Sequence, residues 1–250
     1  DATTSFSEKE GSRGGYGVGL SLRAFAVSTS LLLAACSQVP TPQPSLEELA
    51  QTQYRSLPEE PFPIAAVSGT RIKPQYVRQL VAYETHYEPG TIVVDPTEHH
   101  LYLVMPDGRA MRYGIGVGRE GFGWTGTATI ARKAQWPKWT PPTEMIAREP
   151  RLEPYRHGMA PGLDNPLGAR ALYLFQNGKD TLYRLHGTSE VSSIGRNVSS
   201  GCIRLLNHDI IDLYRRTPVG SKVVVLQAAN TIAHQSSTDA SALHGDRNDS

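Results

Sequence analysis

Two turn signals constrain most strongly what this chain of 250 residues can fold into. Pro106-Asp107-Gly108 and Asn177-Gly178 each stand between two apolar runs. Asn-Gly supplies the positive φ that a tight hairpin requires, and Pro-Asp-Gly is built from residues that each favour a turn. The flanking runs at 91–94, 100–104 and 110–117, and at 171–175 and 181–185, are rich in β-branched and aromatic residues. They predict two hairpins, with further strands at 127–133 and 222–226. Helices are expected at two places. Residues 73–83 start with Pro74 and carry an apolar stripe of Tyr76, Val77, Leu80 and Val81. Residues 208–216 follow Asn207 as N-cap, present Ile210, Ile211, Leu213 and Tyr214, and stop at Thr217-Pro218. One helical turn fits within 143–155, and 158–168 reads as a long loop, either a lid or plain surface.

Hydrophobic residues make up 39% of the chain, with 23 glycines and 18 prolines, which suits a loop-rich globular domain with strands. The formal net charge of +1 gives no reason to expect a nucleic-acid partner. Gly116-Val117-Gly118-Arg119-Glu120-Gly121 matches a dinucleotide fingerprint, but the residues that follow do not form the helix that must receive the pyrophosphate. A glycine-rich turn between strands is the better account. His99, His100, His157 and His208 show no metal-ligand spacing, so no metal is expected.

The two cysteines, Cys36 and Cys202, could form one disulfide, yet each has a context of its own. Arg23 precedes an apolar run over 24–35, which is short of the roughly 20 residues that span a membrane. It reads as the core of a signal peptide. The run ends in Leu33-Ala34-Ala35-Cys36, which resembles the cleavage box of bacterial lipoproteins. On that reading Cys36 is lipidated and tethers the protein to a membrane of the cell envelope, facing the periplasm. Ser37 in the next place leans toward the outer membrane. The alternative is an ordinary signal peptide cleaved near Ala35, with Cys36 left free. The expected organisation is a signal region at 1–35, a lipidated start and Pro-rich extended tether at 36–63, a helical lead-in at 64–89, a catalytic domain at 90–227 and a disordered tail at 228–250.

Cys202 lies in the stretch Leu185-His186-Gly187-Thr188, a Ser/Gly/Asn-rich loop, and Ser199-Ser200-Gly201-Cys202-Ile203-Arg204. A cysteine and a histidine brought together supply a nucleophile and its general base. The turn-forming residues between them allow the loop to fold back and set His186 beside Cys202. Backbone amides near Gly201 and Cys202 could form an oxyanion hole. If 202–204 is extended, Arg204 shares a face with Cys202 and can grip a carboxylate of the substrate; the structural alternative is an ion pair with Asp209 or Asp212. Trp136 and Trp139, in a Trp-Pro-Lys-Trp string, are candidates for a wall of the substrate cleft, with satellite core as the alternative.

His-Gly-Thr, a spacer, then Ser-x-Gly-Cys-Ile-Arg-Leu resembles the signature of the L,D-transpeptidase (YkuD-type) catalytic domain, and the likeness extends over about 90–226. Ser200 stands where many members have a second histidine. The resemblance implies a mainly β (α+β) fold, a β-sandwich or barrel of mixed strands with a few short helices. It implies that Cys202 attacks a peptidoglycan stem peptide after its third residue, usually diaminopimelate. D-Alanine is then released with a proton from His186, and the thioester passes to an amine of another stem peptide or of an envelope protein. The Gly187 carbonyl would orient the imidazole, Ser200 and Gly201 would flank the bound peptide, and no cofactor would be needed. A cysteine carboxypeptidase or hydrolase of the same linkages could share all these residues; the other alternative is a non-catalytic wall-binding lipoprotein, against which intact Cys202 and His186 argue.

Overall fold

The computed structural model describes residues 45–68, 71–119, 124–199 and 201–227. The chain divides into two units, Asp1–Pro42 and Gln43–Ser250. The first unit lies outside the described residues, as do Cys36, Ser200 and the tail 228–250.

Of the residues 36–63 expected as an extended tether, the Pro-rich part lies outside the described residues, and the described part opens with helix α1, Leu46–Gln53. A capping box starts it: Ser45 Oγ accepts from the Glu48 amide, and the Glu48 carboxylate accepts from the Ser45 amide. The helix expected over 73–83 is absent. A single 3-10 turn, Pro74–Tyr76, is followed by strand β1, Gln79–Ala82, which pairs antiparallel with Arg109–Arg112. The stripe that suggested a helix divides between two environments: Tyr76 and Val77 are buried, whereas Leu80 is 45% exposed on an edge strand. Pairing at the sheet edge outweighs a helical pattern of only three turns that begins at a proline.

The remaining strands are β2 Ile92–Asp95, β3 His100–Met105, β4 Arg109–Gly114, β5 Val117–Gly118, β6 Gly126–Gln135, β7 Arg170–Gln176, β8 Lys179–Thr188, β9 Asn197–Ser199, β10 Ile203–Leu206 and β11 Lys222–Val225. With β1, eight of them form one mixed nine-stranded sheet in the order β1-β4-β3-β2-β11-β6-β7-β8-β10, and β5 pairs with β9. The β2–β11 and β8–β10 pairs are parallel. The sheet curls until Gly116, just past β4, bridges Arg204 of β10 through two backbone hydrogen bonds of 2.8 and 2.9 Å. Ile92, Leu101, Tyr113, Ile130, Leu172, Leu185, Ile203 and Val223 point into this curl and make the main core. Both turn signals lie in hairpins, with Asp107 and Gly108, and Asn177 and Gly178, at positive φ.

Two short helices complete the domain: α2, Thr143–Arg148, and α3, Asn207–Arg216. α3 drops Ile210 and Leu213 into the main core. Asn207 is its first residue, not its cap. Its side chain turns back, accepting from the Ala169 amide at 2.9 Å and donating to Ser189 Oγ at 3.1 Å. A Cβ on Gly187 would strike Asn207 Oδ1, so glycine is needed there for close approach. Two satellite clusters hold the lead-in down. Tyr54, Ile72, Tyr76 and Val77 pack with Val191, Ile194 and Leu206, and Ile64 packs with Trp136, Ala169 and Ile211.

Candidate active site

β8 and β10 run side by side with Ile203 against Leu185 and Arg204 against His186. Leu185, Ile203 and Leu205 face the core, so alternation sends His186, Arg204 and Cys202 to the other face. There they line one cleft of about 300 Å³ together with Ser199, Pro166 and Leu167. α2 and the 3-10 segment Pro150–Tyr155 form its far wall through Met145, Leu152 and Tyr155. A larger hollow of about 770 Å³ lies between α1 and the stretch around Ile72, but no cysteine or histidine lines it.

Trp139 lines the cleft beside Tyr155, with ring centroids 6.4 Å apart. Trp136 does not. It adopts a left-handed φ of 41°, is 6% exposed, packs on Phe62, and donates its indole N–H to Glu60 at 2.8 Å. It is satellite core. Asn165 staples the loop that follows Trp139, donating to the carbonyls of Pro137 at 3.1 Å and Ala160 at 2.9 Å.

His186 is buried, and its Nδ1 lies 2.9 Å from the Gly187 carbonyl oxygen. A carbonyl only accepts, so Nδ1 carries the proton and Nε2 keeps its lone pair. Burial lowers the imidazole pKa to about 4; the carbonyls of Gly187 and, more weakly, Pro166 pull the other way, and the Arg204 and Arg184 charges add to the lowering. The Cys202 thiol is half-buried, with Sγ 3.9 Å from the Leu182 carbonyl oxygen. Burial pushes its pKa up, opposed by the Arg184 backbone N–H and the charges of Arg184 and Arg204. At neutral pH the resting site therefore holds a neutral thiol and a neutral imidazole rather than an ion pair. Alkylation of Cys202 by iodoacetamide should accordingly be slow at pH 7 and still be climbing above pH 9. A rate that levels off below pH 7 would mean a preformed thiolate and contradict this electrostatic reading.

Gly201 has φ of 129°, and its amide donates to Ser199 Oγ at 3.2 Å. Ser199 Oγ in turn donates to the Cys202 carbonyl at 2.6 Å. One of the two amides expected for an oxyanion hole is thus already engaged. Arg204 pairs with Glu190 at 3.1 Å, not with the following helix. Asp209 and Asp212 are held by Arg78 and Arg216 instead. The sequence reading overlooked Ser199, Tyr155, Asp180, Arg184 and Leu182. Ser199 and Arg184 lie in the stretches already singled out, and strand alternation alone places Arg184 on the face of His186.

Residues 89–225 match the YkuD model, described as the L,D-transpeptidase catalytic domain. A probable L,D-transpeptidase of Escherichia coli, ErfK/SrfK, is 38% identical over 142 residues, covering 54% of this chain and 43% of that protein. Another from E. coli, YbiS, is 37% identical over 153 residues, covering 58% and 47%. A solved structure described as a probable carnitine operon oxidoreductase from Brucella melitensis is 49% identical, covering 62% of this chain and 96% of that one, with a TM-score of 0.44. The chain spans about half the length of the curated relatives it matches.

Proposed function

The chain belongs to the L,D-transpeptidase catalytic-domain family, and on that premise we propose that it is a peptidoglycan L,D-transpeptidase with Cys202 as nucleophile and His186 as its base. The observation that supports the residue assignment is the tautomer: His186 donates its Nδ1–H to the Gly187 carbonyl, which leaves Nε2 as the basic nitrogen, and its ring lines the cleft that holds Cys202. Because thiol and imidazole are both neutral at rest, the S–H proton passes to Nε2 as sulfur attacks the carbonyl between the third stem residue and D-alanine. The Cys202 amide faces the developing oxyanion. The intermediate collapses as the C–N bond breaks, and D-alanine leaves with the proton from His186. An acceptor amine then attacks the thioester: a C–N bond forms, the C–S bond breaks, and the amine proton returns through His186 to sulfur.

Arg204 shares the cleft and suits a stem-peptide carboxylate. Arg204→Ala should cost at least about tenfold in kcat/KM with little change in melting temperature, because a partly exposed pair with Glu190 adds little stability. Arg204→Lys should recover only part, lacking the planar fork. Normal kinetics with a lowered melting temperature would assign Arg204 to the fold.

Anchoring through Cys36 completes the reading, with Leu33-Ala34-Ala35-Cys36 as its support. Growth with a labelled fatty acid should tag the wild-type chain and leave Cys36→Ala unlabelled; equal labelling rejects the anchor. For the activity, purified stem tetrapeptides incubated with the enzyme should yield cross-linked dimers and free D-alanine by mass spectrometry. Tripeptides alone would indicate hydrolysis, and unchanged peptide would indicate binding only.

A further inference from the structure

A row of side chains crosses the sheet away from Cys202. The register that sets Ile203 against Leu185 places Cys202 beside Arg184, whose backbone N–H reaches the sulfur. Arg184 lies opposite Tyr173, and Tyr173 lies opposite Arg132. The Tyr173 ring carries a guanidinium on each side, Arg132 with Cζ 3.4 Å from the centroid and Arg184 at 4.4 Å. The two cations are not equivalent. Arg184 is already bound by both oxygens of Asp180, at 2.7 and 2.8 Å. Arg132 is exposed, and among the described residues no carboxylate lies within 4.0 Å of it.

Two β-bulges create this arrangement. In a regular ladder Ile130 opposite Leu174 would put Arg132 opposite Leu172, whose side chain is in the core. The irregularity between Ile130 and Arg132 moves Arg132 onto Tyr173 and turns it outward. The second bulge, between Tyr173 and Phe175, leaves Leu182 at φ 63° with its carbonyl oxygen against Cys202 Sγ. Bulges gather where a strand must re-aim a side chain near an active site, and here both serve the same row.

We infer that Arg132, stacked on Tyr173, is the receptor for a carboxylate on the acyl acceptor, and that the acceptor lies along this row as an anionic peptide. The inference rests on the transferase reading above. The thioester occupies the cleft walled by Trp139 and Tyr155, so the second substrate needs another approach, and the open strand face provides it. Tyr173 sits two strands from Cys202 and Arg132 three, so the Arg132 cation, on the far face of the ring, is about 13 Å from the sulfur at the usual strand spacing. A carboxylate that reaches Arg132 must then be about three to four extended residues, or the same reach in side-chain bonds, from the attacking amine. A stem peptide has that reach, whereas a free amino acid, with amine and carboxylate on one carbon, does not.

The test uses acyl-enzyme formed with limiting donor, its decay followed by intact mass. The acceptors are a stem tripeptide, which lacks D-alanine and can only accept, the same tripeptide with its carboxylates amidated, and free D-alanine. Wild-type enzyme should prefer the charged tripeptide. Arg132→Gln, which keeps an aliphatic stem on Tyr173, should raise the apparent KM for the charged tripeptide about fivefold to tenfold and erase the preference over the amidated one. Arg132→Lys should keep part of it. Formation of the acyl-enzyme and its decay with D-alanine should not change. If the variant acylates normally and still discriminates between the two tripeptides, Arg132 is not the receptor. If the wild type forms no acyl-enzyme, the transferase reading itself falls, and this inference with it.

Discussion

His186→Gln should lower kcat/KM at pH 7 by about 10²- to 10⁴-fold while the protein stays folded. The size follows from the electrostatics of the cleft. Burial holds the Cys202 thiol protonated at neutral pH, so sulfur has little thiolate of its own and depends on a base at the moment of attack. Nε2 of His186 is that base, kept available because Nδ1–H is bonded to the Gly187 carbonyl and because the imidazole pKa is only about 4. Glutamine fills much of the space but cannot take up a proton. The pH profile separates a base from a structural residue. Wild-type activity should persist down to pH 5, above the pKa of His186, whereas His186→Gln should gain rate steadily with pH as solvent alone ionises the thiol. A Gln variant with wild-type rate and profile would remove His186 from the chemistry. His186→Ala should behave alike with an added loss of stability from the cavity.

Glu60→Ala should destabilise the domain by about 3–5 kcal/mol, the cost of leaving a buried charge without its partner. Glu60 receives two bonds from Arg170, at 2.7 and 2.9 Å, and one from the Trp136 indole at 2.8 Å. Both side chains of the ion pair are 7% exposed. Truncation leaves the Arg170 guanidinium and the Trp136 N–H buried together, with only the Ala169 carbonyl still bonded to the arginine. Glu60→Gln should cost less, since an amide oxygen can still accept from one donor. The midpoint of urea unfolding measures this, provided the m-value is unchanged. A shift worth less than about 1 kcal/mol would mean that water reaches the pair. The result bears on organisation, since Glu60 precedes the family-matched residues 89–225, and the segment around it should unfold with the domain rather than before it.

The strands were legible because their signals are local. Asn177-Gly178 and Pro106-Asp107-Gly108 each force a turn between runs that suit a pleated surface, and the curled sheet follows from stacking such hairpins. The residues ahead of the catalytic domain were harder to read, for two different reasons. The capping box Ser45-x-x-Glu48 is visible in the sequence, but the prolines before it suggested a tether. Over 73–83 the apolar spacing fits a helix as well as it fits a buried turn and an edge strand, and only the pairing partner in β4 decides. Trp136 and Trp139 show the same limit at the site. They are three residues apart in one string, yet Trp136 is claimed by Glu60, far away in sequence, and Trp139 is left to the cleft. Cys202 and Arg204 could be put on one face by alternation, and the turn-rich loop between them let His186 be set beside Cys202, a placement the pairing of β8 with β10 makes. Arg132 could not, because a bulge sets its direction and no local residue pattern announces that bulge.

The central claim is a covalent one, and intact-mass measurement of the enzyme with a stem tetrapeptide tests it most directly. Rapid quench should show a species heavier than the enzyme by the tetrapeptide less D-alanine, with the added mass mapping to Cys202 on digestion. The species should be missing from Cys202→Ala and decay faster when acceptor is added. An adduct that forms equally well on Cys202→Ala, or turnover with no dependence on that sulfur, would contradict the account.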